Sequence, residues 1–495
     1  MSPTRADLRR QIYHLELEIE RQEAALTANR TLLRELRANL AKDNPTFPIL
    51  TLPPEIASEI FVHCIPEKPS LPSTKNVPFI LLRVCKAWNR IAMSTPALWA
   101  KFQLRLSYYA VSQGTTLTKT FESMARRAAQ IPLNVVISAH YSVFAASEAF
   151  WHTFCAHAHR LQRLEITYVA VEVAAIISTR APAFPVLAHL SLLGGERETE
   201  EHTSLAIFRD APLLRSVALS CIDLSTVLLP FNNITNLVAG DYHLDEIMDV
   251  LRALPNLLVL RYTQFEEVDH DQPPPVDLVH AELCHVYLTE SDEEQCSILK
   301  YLTLPKLEIL VFEATDPALD AEDLDAFFER SRAPLHQLAF GCASNRRTLY
   351  IVDWRFLQRV PQTRALQMDY LSEDAIRCFC HDFAMPSLLP GIKNLVLRCR
   401  QFCAVDDGDE YEMCREEEDE ITMTKFVGLV LDAVEKRVAR EEGSPFKLRI
   451  LTEDANGVGL AALSDKQAQQ CREIKSQGVD VWIGPEGRNL VEHAL

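Results

Sequence analysis

Glycine is scarce in this chain, 14 residues in 495, and no GxSxG elbow, phosphate-cradling glycine loop or zinc-hydrolase helix occurs in it. Positive charge is also short: 50 Lys and Arg stand against 68 Asp and Glu, a formal net charge of −18. That balance repels a phosphate backbone, so nucleic acid is not an expected partner. No stretch of about 20 apolar residues exists, and no apolar segment follows Arg5, Arg9 and Arg10, so neither a membrane span nor a secretory leader is expected. The 13 cysteines are odd in number and scattered, which fits reduced buried thiols better than a disulfide framework. The expectation is a soluble protein of the cytoplasm and/or nucleus, with 48% apolar residues able to fill two or three structural units.

Tempting chemical clusters lack the spacing their chemistry needs. Cys378, Cys380, His381, Cys399, Cys403 and Cys414 are dense enough to raise zinc, yet paired CxxC spacing is missing. His152, Cys155, His157 and His159 fit a helix turning toward the next element as well as they fit a metal or a thiol nucleophile. The acidic run Asp406–Glu420 has no alternating oxygen ligands and no glycine where a calcium loop needs one. No metal, no cofactor and no catalytic residue is expected, and the chain does not read as an enzyme.

What is present is pattern. Leu8, Ile12, Leu15, Ile19, Gln22, Leu26, Asn29, Leu33, Leu36 and Leu40 alternate at spacings of four and three, a heptad seam that nothing interrupts before Pro45. At about 1.5 Å per residue this helix is roughly 50 Å long and asks for a second helix. Gln22 and Asn29 lie on the seam, where polar residues reduce stability and fix register. A homodimer through residues 8–40, with parallel helices, is the expectation; the alternative is a solitary solvated helix. Residues 4–43 form this segment.

Next comes Leu52-Pro53-Pro54-Glu55-Ile56-Ala57-Ser58-Glu59-Ile60-Phe61. A proline at the first helical position wastes no hydrogen bond, and Glu55 suits the helix dipole, so a helix begins at Pro53 or Pro54. Ile56, Ile60 and Phe61 recur at helical spacing, as do Leu81, Val84, Cys85, Trp88 and Ile91, predicting two short amphipathic helices. Leu98 and Trp99 close their core. The order LPPEI, LLRVCKAW, LW over residues 48–104 resembles the F-box, the helical module that binds a Skp-type adaptor in cullin-RING ubiquitin ligases. Together with the heptad helix ahead of it, it is similar to a group of mushroom-type fungal F-box proteins. The resemblance implies that Leu52, Pro53, Ile56, Ile60, Phe61, Val84, Trp88, Leu98 and Trp99 are adaptor-contact or core positions. One departure is the proline-bearing segment Pro66–Pro78, where the family has a shorter connection.

From residue 156 to 485 a short apolar motif recurs as Leu161/Leu164/Ile166, Leu187/Leu190/Leu192, Leu214/Val217/Leu219, Ile234/Leu237/Ala239, Leu257/Leu260/Tyr262, Leu283/Val286/Leu288, Leu307/Leu310/Phe312, Leu335/Leu338/Phe340, Leu366/Met368 and Ile392/Leu395/Leu397. The middle residues fall 20 to 29 apart, the period of a strand-plus-return repeat whose core forms only by stacking. The fold class expected is mainly an α/β solenoid: a coiled-coil helix, a small helical module, then a curved parallel sheet with outer helices such as Leu244–Leu254 and Ala321–Arg330. Residues 105–155 connect the two regions, with a helix over Thr118–Ala129 and a strand over Leu133–Ile137. Residues 404–420 form an acidic insertion. Lys447–Leu451 and Val479–Ile483 are the last strands, around a helix at Asp465–Lys475. The repeats resemble the irregular leucine-rich repeats of F-box proteins, without the asparagine that follows each strand in that family.

The two-residue period puts the intervening side chains on the concave face, a surface suited to protein recognition. Arg261, Tyr287, Gln367 and Arg398 are the candidate target contacts. The resemblance implies a substrate-recognition subunit of a Skp-cullin-F-box type ligase, which accelerates ubiquitin transfer by proximity alone. The alternative is a non-catalytic coiled-coil and leucine-rich-repeat scaffold with no link to ubiquitin.

Overall fold

The computed structural model of the protein describes residues 5–43, 52–106, 114–139, 148–167, 177–180, 182–194, 206–222, 227–264, 276–290, 297–314, 321–342, 351, 353–401, 422–440, 446–454 and 462–493. Two compact units emerge, residues 1–99 and 100–495.

In the first unit, helix α1 runs from Arg5 to Asp43, 39 residues and about 58 Å at the α-helical rise. Helix α2 spans Pro54–His63, with Pro53 as its cap residue and Glu55 in its first turn. The single second helix expected over Leu81–Ile91 is instead two: α3, Leu81–Val84, and α4, Lys86–Met93. Cys85 separates them in an extended conformation, φ −158° and ψ 171°. The break is held locally, because the Cys85 sulfur accepts the Trp88 amide at 3.5 Å and the Asn89 side chain donates to the Leu82 carbonyl at 2.9 Å. Those contacts stand in for part of the helical ladder that the kink removes.

The second unit is built on a 14-stranded sheet in which each strand lies beside its neighbours in chain order, all parallel. The short strands Leu278–Val279 and Leu302–Thr303 pair separately. Every apolar position of the repeat motif from Leu161 to Leu397 is buried, none more than 4% exposed. The expected stack of strand-and-return units therefore accounts for the core. It also begins earlier than the motif does: Lys101–Leu106 is the first strand and Leu133–Ala139 the second, in register at Phe102 and Val135. Phe102 and Leu104 point inward at 1% and 2% exposure, so residues 101–106 add a strand, and the strand expected over Leu133–Ile137 is present as Leu133–Ala139. The helix between them is Gly114–Arg127.

The return helices lie where the pattern puts them, at Leu244–Ala253 and Ala321–Ser331. The former has a capping box, its His243 amide donating to Glu246 at 2.9 Å. At the far end, Lys447–Asp454 and Asp480–Gly484 close the sheet around the helix Asp465–Ser476, capped by Ser464 and Gln467. The acidic insertion at 404–420 lies outside the described residues.

Two sets of side-chain hydrogen bonds link neighbouring repeats. The buried phenol of Tyr242 donates to the Ile222 carbonyl at 2.6 Å, and that of Tyr262 to the Tyr242 carbonyl at 2.9 Å. On the return side, arginines cross to carbonyls of the preceding repeat: Arg160 to Ala125 and Ile131, Arg330 to Leu299 and Lys300, Arg437 to Phe383, Leu388 and Leu389. Both give main-chain oxygens a side-chain donor. Few glycines are needed because Cys221, Asp241 and Tyr370 take the left-handed conformation at strand ends. Gly194 is an exception, since a Cβ there would lie 2.0 Å from the Cys221 carbonyl oxygen.

Candidate docking surfaces

The helices α2 and α4 separate core from surface, which the sequence did not. Phe61, Leu98 and Trp99 are buried, with Ala57, Leu81 and Ala92. The Phe61 and Trp88 rings meet at 4.9 Å, and the Phe79 ring stands edge-on to Trp99 at 5.5 Å. Trp99 donates its indole N–H to the Ala92 carbonyl at 2.9 Å. The Thr95 hydroxyl lies 2.7 Å from the Ile91 carbonyl and 2.9 Å from Ser58 Oγ, tying the end of α4 to α2.

With that core closed, apolar side chains remain outside. Leu52, Ile56, Ile60, Ile80 and Val84 are exposed, Ile56 by 49% and Val84 by 55%. Pro53 is exposed as well, and Trp88 is half-buried, one part of its ring against Phe61. Ile56 and Ile60 are four apart on α2 and share a face. Single exposed aliphatics are ordinary; this small module carries several. Ile80 joins this set although the spacing argument omitted it, because it precedes the α3 periodicity that would have flagged it. The proline-bearing connection folds back on itself, with the Asn76 side chain donating to the Leu71 carbonyl at 3.1 Å.

On the sheet, the residues alternating with the buried motif occupy the other face. Arg261 stands opposite Tyr287 on the adjacent strand, its guanidinium carbon 3.8 Å from the ring centroid, a cation–π contact. Gln367 and Arg398 are brought together through Asp369. The Gln367 amide donates to both Asp369 carboxylate oxygens at 3.2 and 3.1 Å, and Arg398 Nε lies 3.9 Å from Oδ1. Arg398 also reaches Glu486 at 3.1 Å. Burial raises the Asp369 carboxyl above its ordinary range; Gln367 and Arg398 oppose that, and Glu313 adds to it. Gly341, in register between Glu313 and Asp369, keeps a row open between the two acids. Thus the four candidate target contacts form two separate groups. Sequence reasoning missed Asp369 as the group that organises Gln367 and Arg398.

This face differs in charge from the whole chain. Among the described strand residues of this face, Lys101, Arg105, Arg163, Arg261, Arg398, Lys447 and Arg449 stand against Glu165, Glu313, Asp369 and Asp480, with Glu486 reaching Arg398 and Asp241 accepting from Ser220, whereas the chain carries −18.

The described members of the cysteine and histidine clusters do not form a metal-holding group. His152 and His159 are exposed, His157 Nδ1 sits 3.0 Å from the Thr153 carbonyl, and burial raises the Cys155 thiol, with Arg180 opposing. Cys380 and Cys399 are buried and pushed up to about 12, in both cases chiefly by desolvation; Cys403 and Cys414 lie outside the described residues. Among the described residues no group of three His, Cys, Asp or Glu side chains can hold a metal ion, and no helix is long and apolar enough to cross a membrane. No family model and no curated protein matches the chain.

Proposed function

We propose that the chain is a substrate receptor of a Skp-cullin-F-box type ubiquitin ligase, with residues 52–99 docking a Skp-type adaptor and the sheet face holding a target protein. The observation that carries this reading is the division of labour in the helical module. Phe61, Leu98 and Trp99 hold it together while Leu52, Ile56, Ile60 and Val84 stay outside. A module that served only as a cap would gain from turning those side chains inward, by roughly 1.5–3 kcal/mol for each one fully buried. Adaptor association supplies that burial from another chain.

The receptor has no chemistry of its own in this reading. It holds a target lysine near a reaction centre elsewhere in the ligase, and the rate gain comes from orientation and effective concentration. The excess of basic side chains on the sheet face favours targets that present acidic segments, and Arg261 with Tyr287 supplies the aromatic and guanidinium anchors common at protein interfaces.

Co-purification of the tagged chain with a Skp-type adaptor tests the reading. Recovery of the adaptor with wild type and its loss with Ile60→Asp, the variant remaining folded by circular dichroism, is the expected result. A folded wild-type chain that retains no adaptor overturns it and leaves the scaffold alternative, for which the exposed α1 seam speaks.

A further inference from the structure

Helix α1 offers a surface that no described residue of its own unit covers. Every described side chain from Ile12 to Arg37 is exposed. The seam residues Ile12, Leu15, Ile19, Leu26, Leu33 and Leu36 are between 48% and 62% exposed, although they repeat over about seven turns of a coiled-coil pattern. We propose that α1 pairs with α1 of a second copy of this chain as a parallel, in-register two-stranded coiled coil aligned by Gln22 and Asn29. The inference stands independently of the adaptor reading.

The identity of the occupant follows from the two amides. In heptad letters the spacing makes Ile12, Ile19, Leu26 and Leu33 a positions, and Leu15, Gln22, Asn29 and Leu36 d positions. An antiparallel partner of the same sequence sets each d residue against an a residue, and every a residue here is Ile or Leu. Gln22 and Asn29 would then face hydrocarbon in any antiparallel register. A parallel pair displaced by one heptad sets Gln22 against Leu15 or Asn29. Only a second copy in parallel and in register places Gln22 against Gln22 and Asn29 against Asn29, where each amide both donates and accepts. Ile at a with Leu at d in the first heptads favours two strands.

One term opposes this arrangement. Glu18 precedes an a position and Glu23 follows a d position, so a parallel pair sets Glu18 of each helix beside Glu23 of the other. The magnitudes decide the outcome. An exposed like-charge contact weakens association roughly two-fold, and the pair contains two. An amide stripped of partners against leucine weakens it on the order of ten-fold, and the antiparallel pair contains four. The parallel arrangement wins, and its residual repulsion makes association stronger as salt rises.

The test uses the full chain. Sedimentation equilibrium is expected to give twice the chain mass at roughly 10 μM, with several-fold tighter association at 0.5 M salt than at 0.05 M and for Glu23→Lys at low salt. Ile19→Asp with Leu26→Asp is expected to give the monomer. Leu15→Cys settles orientation without disturbing the helix: under mild oxidation it cross-links to itself above the wild-type background only if the helices run parallel. A chain that stays monomeric at that concentration with α1 helical by circular dichroism overturns the proposal. So does cross-linking of Leu15→Cys with Leu33→Cys in a mixture but not of Leu15→Cys with itself.

Discussion

Ile60 and Phe61 are adjacent on α2 yet differ in setting: Phe61 is 1% exposed with its ring against Trp88, and Ile60 is 38% exposed. The pair separates two roles that the letters alone merge. Phe61→Ala removes a fully buried ring and is expected to destabilise the helical module by about 3–5 kcal/mol. Ile60→Asp places a charge where water already reaches and is expected to change stability by less than about 1 kcal/mol while abolishing adaptor capture. Chemical denaturation and pull-down run side by side check both. Equal loss of stability in the two variants would show that Ile60 belongs to the core.

The tyrosine contacts tie successive strands of the repeat stack together. Tyr242→Phe and Tyr262→Phe keep the rings and delete one hydroxyl each, removing the buried donor to the Ile222 or the Tyr242 carbonyl. Each is expected to cost about 1–2 kcal/mol. Hydrogen exchange should rise in the strands flanking residue 242 rather than uniformly, because repeats transmit stress mainly to neighbours.

Asp369 gives the sheet face a pH signature. Burial, the largest cause, lifts its carboxyl above the unfolded value, with Gln367 and Arg398 pulling the other way and Glu313 adding to the lift. A group held more tightly protonated in the fold contributes its stability at pH below the ordinary carboxylate value. That contribution is lost as pH rises through the elevated one. Asp369→Asn is expected to flatten the stability profile between the ordinary carboxylate range and neutrality, and to leave the variant at least as stable as wild type at pH 7. Urea midpoints measured across that window check the sign.

Legibility followed how local the determining physics is. The repeat strands were readable because one strand buries one face, and the two-residue period of Leu190 and Leu192 or Leu338 and Phe340 records it directly. The α2 start was readable from Pro54 and Glu55. The kink at Cys85 was not, since it depends on a thiol and on Asn89 replacing helical bonds. The strand Lys101–Leu106 was missed because its Phe102 and Leu104 lie directly after Trp99, where one short motif merges with another. Arg261 and Tyr287 were readable as sheet-face residues, but their mutual contact and the role of Asp369 depend on cross-strand register, which no single repeat encodes.

Arg437 is the strongest test of how the return helices are fastened. Its side chain is 2% exposed, and its guanidinium donates to the carbonyls of Phe383, Leu388 and Leu389 at 3.2, 2.7 and 3.1 Å, with the Phe383 ring centroid 4.4 Å away. Those carbonyls end the preceding helix and form the turn before strand Asn394–Gln401, so one cation ties several main-chain acceptors of neighbouring repeats together, the Leu389 oxygen also accepting the Ile392 amide at 3.2 Å. Arg437→Met keeps most of the stem's packing and removes the donors, stranding oxygens that water cannot reach. The expected loss is at least about 3 kcal/mol. Arg437→Lys is expected to recover only part of it, because one ammonium cannot reproduce the forked geometry that reaches both Leu388 and Leu389. Thermal unfolding of the three chains, compared at equal concentration, decides it: near-equal midpoints for Met and wild type would mean that the carbonyls find other donors and the staple is dispensable.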